Sequence, residues 1–463
     1  MTRSICPECK RVIDAQIILR HNRVFMRKRC PEHGWFEGLI SSDAQMYIGS
    51  SAFNKPGTMP LQFSTEVKEG CTLDCGLCPE HKQHTCLALI EVNTGCNLNC
   101  PICFADAGDG FSLTLEEVEG MLDRLLELEG EPEVVQFSGG EPTIHPDILD
   151  IVRAAKAWGI PNVMINTNGV RISRDDRFLE ELAELRPTIY LQFDGLEKET
   201  YRKIRGAELL ETKLRCLERL AAHDLDAALV AAVERDVNEH EVGHLVKFGI
   251  GHPAVRGMVF QPVTHTGRHL PFNPMTRVTI PDVLQGLVQQ SDGLFQTADF
   301  VPVPCCFPTC QVNTYVYVNE GEVIPLPRVL PVERYLDYIT NRALPAMPSL
   351  PDIQRALEGL WSASAVAGSA KTANQFSCAC GPAINLGQDL GHLKKHIFQI
   401  AIKDFMDAYT FSVKQVMKCC VGVLVPDGRL IPFCAYNAMG YREQVRAALS
   451  RRHEEQKHGT SRA

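Results

Sequence analysis

The stretch VNTGCNLNCPICFADAG (residues 92–108) places three cysteines, Cys96, Cys100 and Cys103, within eight positions. A tetrahedral zinc site or an ordinary electron-transfer iron–sulfur cluster uses four protein ligands. Three thiols therefore indicate a metal centre with one open coordination position, and an open position indicates chemistry at the metal. A zinc knuckle that lacks one ligand is the alternative interpretation.

The segments on either side of this stretch alternate between β-rich and amphipathic helical runs. The six β-rich runs between residue 88 and about residue 265 are LALIEV, EVVQFSGG, NVMINTNG, TIYLQFDG, AALVAAVE and GMVFQPV. Strand-then-helix repetition predicts a parallel α/β architecture with its site at the carboxyl ends of the strands. Three polar signatures follow strands directly: FSGGEPTIHPD (137–147), INTNG (165–169) and LQFDG (191–195).

The composition limits the function classes. The 463 residues suffice for two or three domains, and 45% hydrophobic residues are ordinary for a globular protein. A net charge of -9 and the lack of a basic, aromatic-interleaved block argue against nucleic acid as a partner. Without a signal-like start or a long apolar run, we expect a cytoplasmic protein. Its 19 cysteines then indicate metal ligands rather than disulfides.

Two further cysteine sets precede the three-thiol stretch. The first has ribbon spacing and predicts one mononuclear zinc or iron, bound by Cys6, Cys9, Cys30 and His33. The second has the pattern of a closed four-thiol site, for which we favour an iron–sulfur cluster over zinc. Its predicted ligands are Cys71, Cys75, Cys78 and Cys86.

The region after residue 300 holds eight more cysteines. Because adjacent side chains point apart, the pairs Cys305/Cys306 and Cys419/Cys420 are each expected to give one ligand to a cluster. The working ligand set is Cys305, Cys310, Cys420 and Cys434, with Cys378 and Cys380 as possible substitutes. Cys216 lies on a helical run, where a buried free thiol is expected.

The three-thiol stretch and the signatures that follow it resemble the radical S-adenosylmethionine (SAM) superfamily. In that superfamily three thiolates hold a [4Fe-4S] cluster, whose fourth iron binds the amino and carboxylate groups of SAM. An aromatic residue usually precedes the third cysteine; here Ile102 stands there and Phe104 follows. The resemblance implies these cofactor-binding residues: Phe104, Gly139, Gly140, Glu141, Asn166, Thr167, Asn168, Gln192 and Asp194.

The resemblance also implies a fold and partners. We expect a partial (β/α)6 TIM-like barrel between an N-terminal metal ribbon and a C-terminal iron–sulfur domain. The expected cofactors are SAM, the SAM-binding cluster, about two auxiliary [4Fe-4S] clusters and one mononuclear Fe or Zn, and a flavodoxin- or ferredoxin-like protein would supply electrons. The expected divisions are the ribbon (1–50), an auxiliary cluster segment (51–87), the core (88–300), the C-terminal domain (301–450) and a disordered tail (451–463).

Within the superfamily, the chain resembles archaeal tetraether lipid synthase and its bacterial relatives. The matching motifs are SICPEC…CPEHG, CGLCPEHKQHTCLALIEVNTGCNLNCPICFADA, FSGGEPT and VPDGRLIPFCAYN. This resemblance implies hydrogen abstraction from inert carbons and the joining of two lipid chains by a C–C bond. The run at 392–417 would then offer a helical apolar face, with Lys394 and Lys395 near a headgroup at the inner membrane face; a core helix is the competing interpretation.

Two other functions remain open. A radical SAM methyltransferase acting on a pterin precursor or another small acceptor would use a compact polar pocket rather than a tunnel. A non-catalytic iron–sulfur electron carrier would leave the ordered SAM-site signatures unexplained.

Overall fold

The N-terminal part of the chain is a four-stranded antiparallel sheet. The computed structural model describes residues 1–108, 110–319, 321–342 and 396–460. The strands are β1 (Thr2–Ile5), β2 (Val12–Arg20), β3 (Arg23–Cys30) and β4 (Gly34–Ser41), followed by helix α1 (Ala44–Ser50). His21 and Asn22 both adopt left-handed backbone conformations, with φ of 52° and 55°, which suits the tight turn between β2 and β3. The ribbon predicted from sequence is confirmed.

The six predicted strands of the core form one parallel sheet. They are β5 (Leu87–Asn93), β6 (Val134–Gly139), β7 (Asn162–Thr167), β8 (Thr188–Gln192), β9 (Ala227–Val233) and β10 (Val255–Pro262), paired in sequence order. The helices are α2 (Leu115–Glu129), α3 (Ile148–Ala157), α4 (Asp176–Leu185), α5 (Lys198–Arg205), α6 (Leu210–Ala222), α7 (Val242–Gly251) and α8 (Ile280–Gln290).

The helices pack their apolar faces against the outside of this sheet. In α2, Val118, Leu122 and Leu125 recur at helical spacing and belong to the same buried cluster as Phe137 of β6. A capping box fixes the start of α2, because the Thr114 hydroxyl accepts from the backbone of Glu117, whose carboxylate accepts in return. Burial of such a stripe on each helix leaves the inner face of the sheet available for a site.

The C-terminal part completes the core sheet, so the prediction of a separate C-terminal domain is wrong. Strand β14 (Ile397–Lys403) pairs in parallel with β10, and strand β15 (Val421–Leu424) pairs in parallel with β5, which extends the six strands to eight. The elements after residue 300 are β11 (Val301–Pro302), β12 (Gln311–Asn319), β13 (Glu322–Pro325), α9 (Val332–Ile339), β14 (Ile397–Lys403), α10 (Val413–Val416), β15 (Val421–Leu424), β16 (Leu430–Pro432), α11 (Phe433–Ala438) and α12 (Tyr441–Thr460).

Two local predictions in this part also fail. The predicted helix over 392–417 contains strand β14, because IFQIAIK buries alternate residues beside β10, and only the short helix α10 follows. Lys394 and Lys395 lie outside the described residues. The tail predicted to be disordered starts at residue 451, but this position lies within helix α12, and the helical backbone continues to Thr460.

In the part of the chain that the structure describes, no helix has the length and apolar character needed to cross a bilayer.

Candidate active site and metal centres

The three-thiol loop is tied to the carboxyl ends of the first two core strands. The amide of Gly140 donates to the Asn93 carbonyl at 2.9 Å, and that of Glu141 donates to the Gly95 carbonyl at 2.8 Å. A Cβ atom at Gly139 or Gly140 would collide with these same two carbonyl oxygens. Only glycine permits this close approach, so the pair locks the cysteine loop onto the sheet.

The thiols of Cys96, Cys100 and Cys103 lie around one end of a large cavity. Burial raises the pKa of Cys96 to about 11 and also raises the pKa of Cys100, which lies close to the Arg205 guanidinium. Among the described residues, the three thiols are not one of the groups whose ligand atoms all lie within 4.8 Å of one another.

Glu141 holds two strand ends together. One carboxylate oxygen accepts from the Thr143 amide (3.1 Å), the Thr143 hydroxyl (2.7 Å) and the Thr167 hydroxyl (2.6 Å), and the other accepts from the Asn168 amide (2.7 Å). The side chain is 1% exposed. Sequence reasoning placed Glu141 beside SAM; the structure adds that its carboxylate organises the backbone there.

Two predicted cofactor residues carry orphaned polar atoms. Asn166 Oδ1 and Gln192 Oε1 are buried and have no hydrogen-bond partner within the described part of the chain. Both residues line the cavity. Because unpaired buried polar atoms are costly, these two atoms point to a polar ligand. Together with three cysteines and the glycine cradle, this donor set fits a [4Fe-4S] cluster and SAM.

The other predicted cofactor residues divide into two groups. Phe104 and Asn168 line the cavity, whereas Thr167 and Asp194 are not among its described lining residues. Asp194 is fully buried and forms a bidentate ion pair with Arg205, both contacts being 2.7 Å. The carboxylate holds Arg205 near Cys100, and the cofactor role expected for Asp194 stays a prediction.

Sequence reasoning missed several residues at this end of the cavity. Arg205 follows the fourth core strand in KIRG, a segment that reads as an ordinary basic helix end. Phe405 and Phe433 pack on Phe104 with ring centroids 5.8 and 5.2 Å away, and both come from the C-terminal part. No local signal marks these two, because their meeting depends on how β14 and β15 join the sheet.

The cavity has a volume of about 460 Å³ and fills the inside of the eight-stranded sheet. Alternate side chains of the parallel strands point into it, as expected for a barrel. Glu91 is one of them, and Arg442 clamps its carboxylate at 2.7 Å while the Tyr436 hydroxyl donates at 3.0 Å. Cys86 and Cys420 also line the cavity.

The ribbon residues form a compact ligand set. The ligand atoms of Cys6, Cys9, Cys30 and His33 all lie within 4.8 Å of one another. His33 Nδ1 is 3.5 Å from Cys30 Sγ and 3.7 Å from Cys6 Sγ. Three sulfurs and one nitrogen at this spacing fit a tetrahedral structural metal.

The predicted set of Cys71, Cys75, Cys78 and Cys86 is divided in the structure. Cys71 and Cys75 lie side by side, with Cys78 close by. Cys86 lies beside Cys305 and Cys420 instead. Strand pairing is the physical reason: Leu87 of β5 is in register with Val421 of β15, and the Cys86 amide donates to the Cys420 carbonyl at 2.9 Å.

The predicted C-terminal ligand set is divided as well. Cys420 joins Cys86, Cys305 and Cys306, whereas Cys419 lies beside Cys434 and near Cys310. The expectation that only one cysteine of each adjacent pair joins a given cluster agrees with the placement of Cys419 and Cys420, but Cys305 and Cys306 both lie near Cys420. Cys378 and Cys380 lie outside the described residues. The described cysteines after residue 70 thus form three groups besides the loop and Cys216, which is buried in α6.

Comparison with known protein families gives two matches. A model described as the radical SAM superfamily matches residues 90–249, and one described as the HMPTM N-terminal zinc ribbon domain matches residues 1–42. The second range coincides with the four-stranded ribbon, and the first covers the core from within β5 to within α7.

Similar proteins extend these matches. The 7,8-dihydro-6-hydroxymethylpterin dimethyltransferase of Methanocaldococcus jannaschii is 34% identical, over 97% of this chain and 95% of that protein. The GTP 3′,8-cyclase of Chlorobaculum tepidum is 35% identical, over 29% of this chain and 43% of that protein. Among solved structures, Streptococcus suis SuiB bound to S-adenosylmethionine covers 45% of this chain and 47% of its own, with 18% identity and a TM-score of 0.39.

Proposed function

Because the chain belongs to the radical SAM superfamily, and within it to the family of the Methanocaldococcus jannaschii pterin dimethyltransferase, we propose that it is a methyltransferase acting on a reduced pterin. The observation that carries the proposal is the similarity along nearly the whole length of both chains. The match of residues 1–42 to the HMPTM zinc ribbon supports the same family.

The lipid-coupling function expected from sequence finds no support in these comparisons. The chain-long relative acts on a pterin, by its name, and this favours the methyltransferase alternative. The cavity is consistent with a small acceptor, since hydrogen-bonding side chains such as Gln136, Tyr190 and Gln261 line its described walls. Two long hydrocarbon chains would instead require an extended apolar tunnel.

In this proposal, Cys96, Cys100 and Cys103 hold the SAM-binding [4Fe-4S] cluster. That cluster and SAM, when bound and reduced, supply a 5′-deoxyadenosyl radical that abstracts hydrogen from carbon. Gly139 and Gly140 bring the backbone close to the cosubstrate, while Asn166 and Gln192 offer it hydrogen bonds. Phe104, with its two aromatic neighbours, covers this end of the cavity and excludes water.

The remaining metal sites are proposals of the same kind. Cys6, Cys9, Cys30 and His33 would bind one zinc or iron that stabilises the ribbon. The group of Cys86 and Cys420 would hold an auxiliary cluster that faces the cavity, and the group of Cys71, Cys75 and Cys78 a second one. A flavodoxin- or ferredoxin-like protein would supply the electrons.

The proposal is tested by asking which substrate stimulates SAM cleavage. Reconstituted enzyme with SAM and a chemical reductant should form 5′-deoxyadenosine faster when 7,8-dihydro-6-hydroxymethylpterin is added than when host glycerolipids are added. The protein with Cys96, Cys100 and Cys103 all replaced by alanine is the control and should form none. Stimulation by lipids and not by the pterin would contradict the proposal.

A further inference from the structure

The centre of the cavity has a floor of small side chains. On β9 the inward residues are Ala228, Val230 and Ala232. Gly257 and Val259 of β10 face the same space. In small barrels larger inward side chains would fill this volume, so the small residues keep open a flat area large enough for a ring system.

Strand register places polar side chains at both ends of this floor. Tyr190 of β8 is in register with Ala228, Ala228 with Gly257, and Gly257 with Gln399 of β14. The row spans three strand spacings, or about 14 Å. Tyr190 and Gln399 therefore frame a gap formed by one alanine and one glycine.

Two carboxamides at the floor are held in place by tyrosines. The Gln261 Nε2 donates to the Tyr190 hydroxyl at 3.2 Å, and the Gln399 Nε2 donates to the Tyr315 hydroxyl at 3.1 Å. No described residue donates to the Oε1 atom of either glutamine, and both residues line the cavity. One hydrogen bond thus orients each amide, and its Oε1 atom remains available to accept from a ligand.

We propose that Gln261 and Gln399 form the substrate-reading site, and that they bind opposite edges of a pterin lying on the Ala228–Gly257 floor, with its 2-amino-4-oxo-pyrimidine edge at Gln399. This inference rests on the proposed function and adds the residues that determine specificity. A pterin is flat and uncharged, and its pyrimidine edge presents two adjacent donors, the ring N–H and the 2-amino group, between two acceptors. The Oε1 atom of a carboxamide can accept from such a donor, and its second N–H can donate to an acceptor.

The position of the site agrees with the placement of the cofactor residues. Gln192 lies two residues beyond Tyr190 on β8, toward the carboxyl ends of the strands, where the three-thiol loop sits. Gln192 is in register with Val230, so its orphaned Oε1 lies on the SAM side of the row formed by Ala228 and Gly257. A ring on the floor would have one edge directed toward SAM and the other toward Gln399.

Direct binding measurements test the inference. Anaerobic equilibrium dialysis would give the dissociation constants of 7,8-dihydro-6-hydroxymethylpterin and of its 2-oxo analogue, which lacks the amino group. Wild-type protein should prefer the pterin, because a site built for hydrogen bonds rejects an analogue that lacks one. Gln261→Leu and Gln399→Leu should each weaken pterin binding about tenfold or more, which corresponds to about 1.4 kcal/mol, and Gln399→Leu should also reduce the preference.

Three further measurements make the result unambiguous. Gln16→Leu, an exposed substitution on β2, is the matched control and should bind as wild type. Ala401 of β14 lines the cavity and is in register with the floor residue Val259. Ala401→Met fills space beside the floor without removing a polar group and should also weaken pterin binding, while SAM affinity stays unchanged in all variants. If wild type binds the pterin and both glutamine variants bind it equally well, the inference is wrong. If wild type binds no pterin at all, the proposed function itself is wrong.

Discussion

Replacing Glu141 by glutamine should weaken SAM binding while leaving the cluster in place. In the structure one oxygen of Glu141 accepts three hydrogen bonds and the other accepts one, from the Asn168 amide. A glutamine can keep the first three on its carbonyl oxygen, but it turns its NH₂ group toward the Asn168 N–H. The variant therefore loses one charge-assisted bond and gains a contact between two donors.

The expected size follows from that one bond. A hydrogen bond to a charged group contributes about 1.5–3 kcal/mol. Losing the bond to the Asn168 amide would destabilise the backbone segment that carries Thr167 and Asn168 by this amount. If the loss appears in the ordering of this segment around SAM, the dissociation constant of SAM should rise about tenfold to a hundredfold. Glu141→Ala would leave four buried donors without an acceptor, so glutamine is the more informative substitution.

The assay measures SAM affinity by equilibrium dialysis, together with iron content and thermal unfolding. Glu117→Gln is the matched control, because Glu117 also accepts a backbone hydrogen bond (2.9 Å, from Thr114), but at the surface end of α2. Its SAM affinity should equal that of wild type. Unchanged SAM affinity in Glu141→Gln would refute the organising role of the carboxylate, and loss of iron would show that it supports the cluster instead.

Three further predictions follow from individual contacts. If Cys86 and Cys420 serve one cluster, Cys86→Ala, Cys420→Ala and the double variant should lose equal amounts of iron by elemental analysis; additive losses would contradict a shared cluster. His33→Ala should remove the mononuclear metal and lower the melting temperature but leave reductive SAM cleavage intact, and loss of cleavage would contradict a purely structural ribbon. Burial lowers the pKa of Lys213 from 10.5 to about 8, so between these pH values the unfolded chain binds more protons and the free energy of unfolding should rise with pH, by about 3 kcal/mol in the limit. In chemical denaturation, the free energy of unfolding of Lys213→Met should depend less on pH across this window than that of wild type. An equal pH dependence of the two proteins would refute the lowered pKa of the buried lysine.

The sequence predicted those parts of the molecule whose chemistry is local. The three-thiol loop, the Gly139–Gly140 pair and the six strands depend on neighbouring residues, on turn chemistry and on period-two patterning. The ribbon ligands are likewise brought together by a short antiparallel sheet. These features were all recognisable without knowledge of long-range pairing.

The parts that failed depend on contacts between distant segments. Cys86 meets Cys420 because β15 pairs with β5, and no spacing rule within residues 71–86 reveals that pairing. The strand IFQIAIK is short and apolar, so its pattern alone does not separate a buried strand from a core helix. The ion pair between Asp194 and Arg205 of the next helix also has no local signal in the sequence.

The product formed from a pterin tests the central claim most directly. Wild-type protein and the triple Cys96, Cys100 and Cys103 alanine variant would be expressed in a bacterial host that makes 7,8-dihydro-6-hydroxymethylpterin. Pterins and membrane lipids of the same cultures would then be analysed by mass spectrometry. The account predicts pterins heavier by one or two CH₂ units in the wild-type culture alone, with unchanged lipids. Unmodified pterins together with membrane-spanning lipids that have two hydrogens fewer than their two parent chains would contradict it.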